Sequence, residues 1–181
     1  MRITGGESRG RAITGPAGEK LRPTGSKVRQ AFFNILSNKL YSASFLDLCA
    51  GTGIMGIEAL SRGASSLISV EEDRKAAKSI EANLKHLGYE AEVICGDVRK
   101  VLNILAGQTF DIIFADPPYK SEIQGTVLRM VEKHKLLADE GVLVIEHLKT
   151  LAPPENCESL VRSSLRNYGQ TSLSFYTLDG K

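Results

Sequence analysis

From Tyr41 onward, short apolar runs alternate with stretches of helical spacing. Phe45–Cys49, Leu67–Glu71, Glu92–Cys95, Phe110–Ala115 and Val142–Glu146 read as five strands. Phe110–Ala115 is apolar almost throughout, as a strand covered on both faces should be. Between the strands, Ile54–Arg62, a stretch opened by Asp73, residues 98–105 and residues 121–136 read as helices. In the second of these, Ala76, Ala77, Ile80, Leu84 and Leu87 share one face and Gly88 stops the helix. The alternation predicts an α/β domain with a mostly parallel sheet. Near the end the rhythm breaks. Leu160–Asn167 and Thr171–Leu178 are joined only by Tyr168-Gly169-Gln170, too short for a crossover helix, so they are expected to pair antiparallel.

Upstream, residues 1–25 are rich in Gly, Arg and Thr, and short strands or turns are expected there. Ser26 is expected to cap a helix over residues 27–39, with Val28, Phe32, Ile35 and Leu36 on one face. A chain of 181 residues suits one domain with a small appendage, so residues 1–40 are read as an extension and 41–181 as the main domain. No apolar run is long enough to span a bilayer, and the first residues lack a secretory stretch, so a cytoplasmic protein is expected; it is read as a monomer. Cys49, Cys95 and Cys157 are too few and scattered for a zinc site or disulfide framework. They read as reduced thiols, two of them in strand cores, and no metal is expected. Charge is uneven: residues 1–40 carry a net +6 and the remainder a net −4. A basic leader on an acidic body suits a polyanionic partner, or equally a solvated terminus.

The stretch Phe45-Leu-Asp47-Leu-Cys49-Ala50-Gly51-Thr-Gly53-Ile-Met-Gly56 carries the first chemistry. A strand ends, a glycine loop turns, and a helix begins. Gly51 and Gly53 let backbone pass close to a ligand. Glu71, at the end of the next strand, can accept hydrogen bonds from both ribose hydroxyls of a nucleoside. Gly51-x-Gly53-x-x-Gly56 also fits a dinucleotide fingerprint. Asp47 separates the two readings: its carboxylate repels a pyrophosphate but welcomes the cationic amino-acid end of S-adenosylmethionine. It can also cap the loop's own N–H groups. Asp97, beside Val98, is placed either to accept from an adenine amino group or to cap the helix that follows.

Asp116-Pro117-Pro118-Tyr119 closes the fourth strand. The prolines fix the turn, leaving the Asp116 carboxylate and the Pro117 carbonyl as acceptors at the mouth of the sheet. An exocyclic amino group on a base is a weak nucleophile because its lone pair is delocalised. Two acceptors holding its hydrogens orient the nitrogen toward a methyl donor. Tyr119 offers a face on which a splayed-out base stacks.

On these residues the chain resembles the RsmD family of rRNA guanine-N2 methyltransferases. The likeness runs through Arg2-Ile-Thr-Gly-Gly, Arg9-Gly-Arg11, Leu21-Arg22-Pro-Thr24, Val28-Arg29, Asp47–Gly53, Gly56–Ala64, Val70-Glu71, Asp116–Tyr119 and the Tyr168–Tyr176 hairpin. It implies the class I methyltransferase fold: a Rossmann-like, seven-stranded sheet with the last strand antiparallel. It implies S-adenosylmethionine as cofactor, held by Asp47, Ala50, Gly51, Gly53, Glu71, Asp97 and Val98. Asp116, Pro117 and Tyr119 would act on a guanine of 16S rRNA in the small subunit or its assembly intermediate. Arg9, Arg11, Arg22, Lys27 and Arg29 become phosphate contacts, and Arg22-Pro23-Thr24 could close over the cofactor.

Other readings stay open: an N-methyltransferase acting on adenine N6 or a protein glutamine, a nicotinamide oxidoreductase, or a nucleic-acid binder without activity. The leader argues against a protein acceptor. The oxidoreductase lacks a second domain, and a pure binder would not need Asp116 beside a cofactor loop. His147, after Glu146 at the end of the fifth strand, is given a supporting role. The basic residues between 74 and 85 read as a solvated face.

Overall fold

The computed structural model describes residues 1–15, 25–118 and 123–180. Eight strands form one sheet: β1 (Ser44–Leu48), β2 (Ser66–Glu71), β3 (Glu92–Cys95), β4 (Phe110–Ala115), β5 (Leu137–Leu148), β6 (Asn156–Cys157), β7 (Leu160–Tyr168) and β8 (Thr171–Leu178). Their order is β3-β2-β1-β4-β5-β8-β7-β6. The pairings among β1 to β5 are parallel, and β8 pairs antiparallel with both β5 and β7. This is the class I methyltransferase sheet, with the two-residue β6 added at its edge. Among the described residues six helices accompany it: α1 (Ser26–Ile35), α2 (Ser37–Leu40), α3 (Ile54–Ser61), α4 (Arg74–Leu87), α5 (Val98–Ile104) and α6 (Ile123–Lys133).

Side chains alternate across each strand, so the sheet has two apolar faces. Phe45, Ile112, Phe114, Val142 and Val144 pack with α1, α3 and α4. Leu46, Leu48, Ile113, Ala115, Leu143 and Ile145 pack with α5 and α6. The leader belongs to the first face. Ile3, Ile13, Phe32 and Phe33 are buried in it. The Phe32 ring meets Phe33 at 5.0 Å and Phe114 at 5.2 Å, both edge-on. Burying each such ring contributes about 1.5–3 kcal/mol.

Several sequence expectations need correction. The helix from Ser26 divides at Leu36 into α1 and α2, and Gly25, not Ser26, stands at its N-cap. Phe33 takes the inward position expected for Ile35, which is exposed. The cysteines lie outside the core: all are free, Cys95 exposed and Cys49 and Cys157 half-buried. Strand β5 also begins at Leu137, because a register shift between Phe110 and Ile112 lets Leu137 pair before Val142 resumes the ladder. Among the described residues, no helix is long and apolar enough to cross a membrane.

Candidate active site

The parallel register brings the strand ends into line. Leu48 lies beside Val70 on one side and Ala115 on the other, Glu71 beside Cys95, and Ala115 beside Ile145. The residues that follow these pairs therefore share one rim, and alternation puts Asp47, Glu71, Asp116 and Glu146 on the face of the sheet that carries α1, α3 and α4. Ligands of such sheets bind at this edge.

Asp47 is 1% exposed. One carboxylate oxygen accepts the Gly56 N–H at 3.0 Å, so the loop-capping role read from the sequence is realised. Burial pushes its pKa up to about 7, the Gly56 bond opposes the rise, and the charges of Asp116 and Glu71 add to it. Among the described residues, no Lys or Arg pairs with Asp47 or Glu71. A cation arriving here relieves that repulsion.

The glycines of the loop serve different ends. Gly53 has φ +72 and caps α3, and a Cβ on it would stand 2.8 Å from Ile80 of α4. A Cβ on Gly56 would meet Leu67 at 2.6 Å, so that glycine lets α3 approach β2. At Gly51, φ is +56 and a Cβ would have nothing within 4 Å. That side of Gly51 is open space beside the loop. Ala50 ties the loop to the sheet, donating to the Val70 carbonyl at 2.9 Å and accepting from Gly53 N–H at 2.7 Å.

Glu71 braces the loop with both oxygens, accepting Gly51 N–H at 2.6 Å and Asp73 N–H at 2.9 Å. Each carboxylate oxygen keeps a second lone pair for a hydroxyl donor. Asp97 caps α5 by accepting Arg99 N–H at 2.8 Å. Hydrogen bonds from Arg99, chiefly its side chain, hold the Asp97 carboxyl well below the usual carboxylate range. Val98, the next residue, is buried. Cys49 lies beside the loop with φ +59. Burial, then the charges of Glu71, Asp116 and Asp47, push its thiol up to about 12, so it stays protonated and is no nucleophile.

Asp116 N–H donates to the Leu48 carbonyl at 3.3 Å, fixing the corner to the end of β1. Pro117 is buried and Pro118 exposed. Tyr119 lies outside the described residues. Glu146, 3% exposed at the end of β5, flanks Asp116. His147 is fully buried; its Nδ1 is 2.8 Å from the Leu148 carbonyl, which can only accept. The ring thus donates there, and Nε2 accepts from Ser174 Oγ at 2.8 Å. Burial lowers its pKa, and it ties β5 to β8 as a neutral ring.

The leader's cations part ways. Arg9 and Lys27 are exposed. Arg11 reaches the C-terminal end of α4, donating to the carbonyls of His86 at 2.9 Å and Leu87 at 3.4 Å. Arg29 does not fit a phosphate contact: it is 3% exposed, and its Nε lies 2.8 Å from Glu58 Oε2, close but off the hydrogen-bond direction. Its Nη2 donates to the Arg2 carbonyl at 2.9 Å. Arg22, and with it Pro23-Thr24, lies outside the described residues.

Sequence reasoning misses Glu58. Fully buried, it also receives Arg62 at 2.7 Å, the Thr4 N–H at 3.2 Å and the Thr4 hydroxyl. It thereby joins the leader, α1 and α3. The signal is a carboxylate inside the otherwise apolar Ile54–Leu60 run.

Comparisons with known proteins agree on one family. The family model described as conserved hypothetical protein 95 matches residues 1–177. YlbH of Bacillus subtilis is 35% identical over 184 residues, covering 99% of this chain and 100% of the relative. Ribosomal RNA small subunit methyltransferase D of Escherichia coli K12 is 35% identical over 147 residues, 81% of this chain and 74% of the relative. The solved structure of yhhF from Escherichia coli is 31% identical and superposes with a TM-score of 0.90, covering 100% of this chain and 99% of that one.

Proposed function

The chain belongs to the conserved hypothetical protein 95 family, that of the RsmD-type rRNA methyltransferases, and from this premise we propose that it methylates the exocyclic N2 of a guanine in 16S rRNA. The observation that carries the reading is the shared rim of Asp47 and Asp116. A buried carboxylate suited to a cation stands one strand away from a carboxylate suited to an amino group.

S-adenosylmethionine fits the first half. Asp47 takes its cationic amino-acid end, the open side of Gly51 admits its backbone contacts, and Glu71 accepts from its ribose hydroxyls. Ala50, Gly53, Asp97 and Val98 complete the cradle. When bound, it supplies an electrophilic methyl group on a sulfonium. The second half belongs to the base. Asp116 and the Pro117 carbonyl accept the amino hydrogens, hold the nitrogen and favour its pyramidal form, so its lone pair faces the donor. Once the methyl group has left its sulfur for the nitrogen, the extra proton on that nitrogen passes toward Asp116. By its place in the sequence, Tyr119 stacks on the splayed-out base.

RNA as the acceptor accords with the name of the Escherichia coli relative and with the basic leader. Within residues 1–40, exposed Arg9, Arg11 and Lys27, with Arg22, hold phosphates; residues 41–181 carry the chemistry. The protein acts as a cytoplasmic monomer on the small subunit or its assembly intermediate.

The test is methyl transfer from radiolabelled S-adenosylmethionine to unmodified small subunits, naked 16S rRNA and duplex DNA in parallel, followed by digestion to nucleosides. Label in N2-methylguanosine from the ribosomal substrates supports the reading. Label in N6-methyladenosine, or only in protein, overturns it.

A further inference from the structure

The fold lays the leader along α4, which its position in the sequence does not announce. Asn83 Nδ2 donates to the Thr14 carbonyl at 2.7 Å, and Ser79 Oγ donates to the same carbonyl at 2.9 Å. Thr14 N–H returns a bond to Asn83 Oδ1 at 3.1 Å. Three residues back, Arg11 covers the last carbonyls of the helix. One residue on, Gly15 stands against Thr52 of the glycine loop. The leader therefore runs from the C-terminal end of α4 toward the mouth of the sheet.

Beside this track lies the solvent face of α4. Ala76, Ala77, Ile80, Asn83, Leu84 and Leu87 turn inward. The exposed positions include Arg74, Lys75, Lys78 and Lys85, with Glu81 the one acid among those on this face. At 100° per residue, Arg74, Lys78, Glu81 and Lys85 fall within one narrow stripe, three cations to one acid, with Lys75 to one side of it. Arg11 continues it at the far end, at the carbonyls of His86 and Leu87, and Arg9 is exposed two residues before it on the leader. Helix stability accounts for Lys85, in the last turn and four residues after Glu81, but not for Arg74, Lys75 and Lys78. Arg74 and Lys75 sit in the first turn, against the positive end of the helix dipole, and that turn holds no acid beyond the Asp73 cap that precedes it. Arg74 and Lys78 are four apart, a repulsive spacing. Among the described residues, none of the four lies within ion-pair distance of a carboxylate. A polyanion laid along the stripe offsets both penalties and supplies a counter-charge to cations that have none. The helix has 14 residues and spans about 20 Å, enough for several successive phosphates.

We propose that the leader and the exposed face of α4 form one continuous track, Arg9, Arg11, Lys85, Lys78, Lys75 and Arg74, that binds the phosphate backbone of the RNA and leads it to the strand tips. The inference rests on the reading of the chain as an RNA-modifying enzyme and extends its RNA surface beyond the leader. The contacts are to phosphate, so they set register and affinity and leave base choice to the corner at Asp116.

The experiment measures the salt dependence of 16S rRNA fragment binding for the full chain and for the Lys75→Gln/Lys78→Gln/Lys85→Gln variant. Each phosphate left without its lysine should flatten log K against log salt by about 0.7–0.9, so the slope should fall by about 2. Lys75→Arg/Lys78→Arg/Lys85→Arg should keep the parent slope. Arg129→Gln/Lys133→Gln/Lys135→Gln, an equal loss of charge around α6 on the other face of the sheet, should keep it too. Unfolding temperature and S-adenosylmethionine affinity, measured alongside, should match the parent. A slope unchanged in the α4 variant overturns the track, as does an equal fall in the α6 control. If the parent chain transfers methyl to 16S rRNA while the α4 variant keeps the parent slope, the track alone fails. If the parent neither binds nor modifies rRNA, the functional reading fails with it.

Discussion

Glu58→Ala removes the carboxylate on which the leader, α1 and α3 converge. Its side chain is fully buried against Arg29, whose side chain is 4% exposed, and Arg62, at 21%. Without it, Arg29 keeps a buried positive charge with no counter-ion. Breaking one partner of a buried pair costs about 3–5 kcal/mol. In a domain of this size each kcal/mol lowers Tm by about 2–4 °C. The expected fall is therefore roughly 6–20 °C by calorimetry. Hydrogen exchange should show where the damage starts. The Ile3 and Gly10 amides, which donate to Arg11 and Ile3 carbonyls within the leader, should lose protection before the β1 and β4 amides. Glu58→Leu/Arg29→Met should recover much of the stability, since it removes both buried charges and Arg62 can turn toward water. A Tm within about 2 °C of the parent, with the leader amides still protected, would refute the argument.

Asp47 carries a pH signature. Its folded pKa of about 7 lies above the ordinary 3.8, so the folded chain holds this proton more tightly than the unfolded one. Ionising it costs stability as pH rises through that window, and a bound cation offsets the cost. S-adenosylmethionine affinity by calorimetry should thus climb between about pH 5.5 and 7.5, and Asp47→Asn should flatten the climb; an equal climb in the parent and the variant would remove Asp47 from the site. Gly53→Ala meets Ile80 and a left-handed φ together, and should cost about 1–3 kcal/mol in chemical denaturation. Gly51→Ala meets only the φ, and should cost about 1 kcal/mol while weakening cofactor binding; equal losses at the two glycines would contradict their separate roles. Asp116→Ala should lower kcat by about 10²–10³ with cofactor affinity intact, and activity within a few-fold of the parent would show that another group holds the amino nitrogen.

The sheet is legible because its strands are apolar runs punctuated by glycine and acid. Glu92–Cys95, Phe110–Ala115 and Thr171–Leu178 coincide with β3, β4 and β8, and Asp73 and Gly88 bound α4 as their chemistry requires. Local spacing, however, speaks only for neighbours. It places Ile35 inward and overlooks Phe33, because the partner that covers the Phe33 ring, Arg62, lies far along the chain. It counts Arg29 among the surface cations, because nothing near Arg29 in sequence reveals Glu58. It reads the α4 lysines as an ordinary solvated face, because the leader that borders them is separated from Asn83 by 69 positions. At the rim, residue types and spacing identify Asp47, Glu71 and Asp116, and the register of the parallel strands supplies what spacing lacks: their common edge and face. The glycines read as one ligand cradle, yet only Gly51 opens outward, since Gly53 and Gly56 are consumed by Ile80 and Leu67.

A crystal structure with S-adenosylhomocysteine bears most directly on the pairing of a cationic donor at β1 with a planar acceptor at β4. The ligand should contact Asp47, the Gly51 backbone and Glu71, with its sulfur turned toward Asp116. A ligand bound away from β1 and β2, or one whose sulfur is walled off from Asp116, would contradict it.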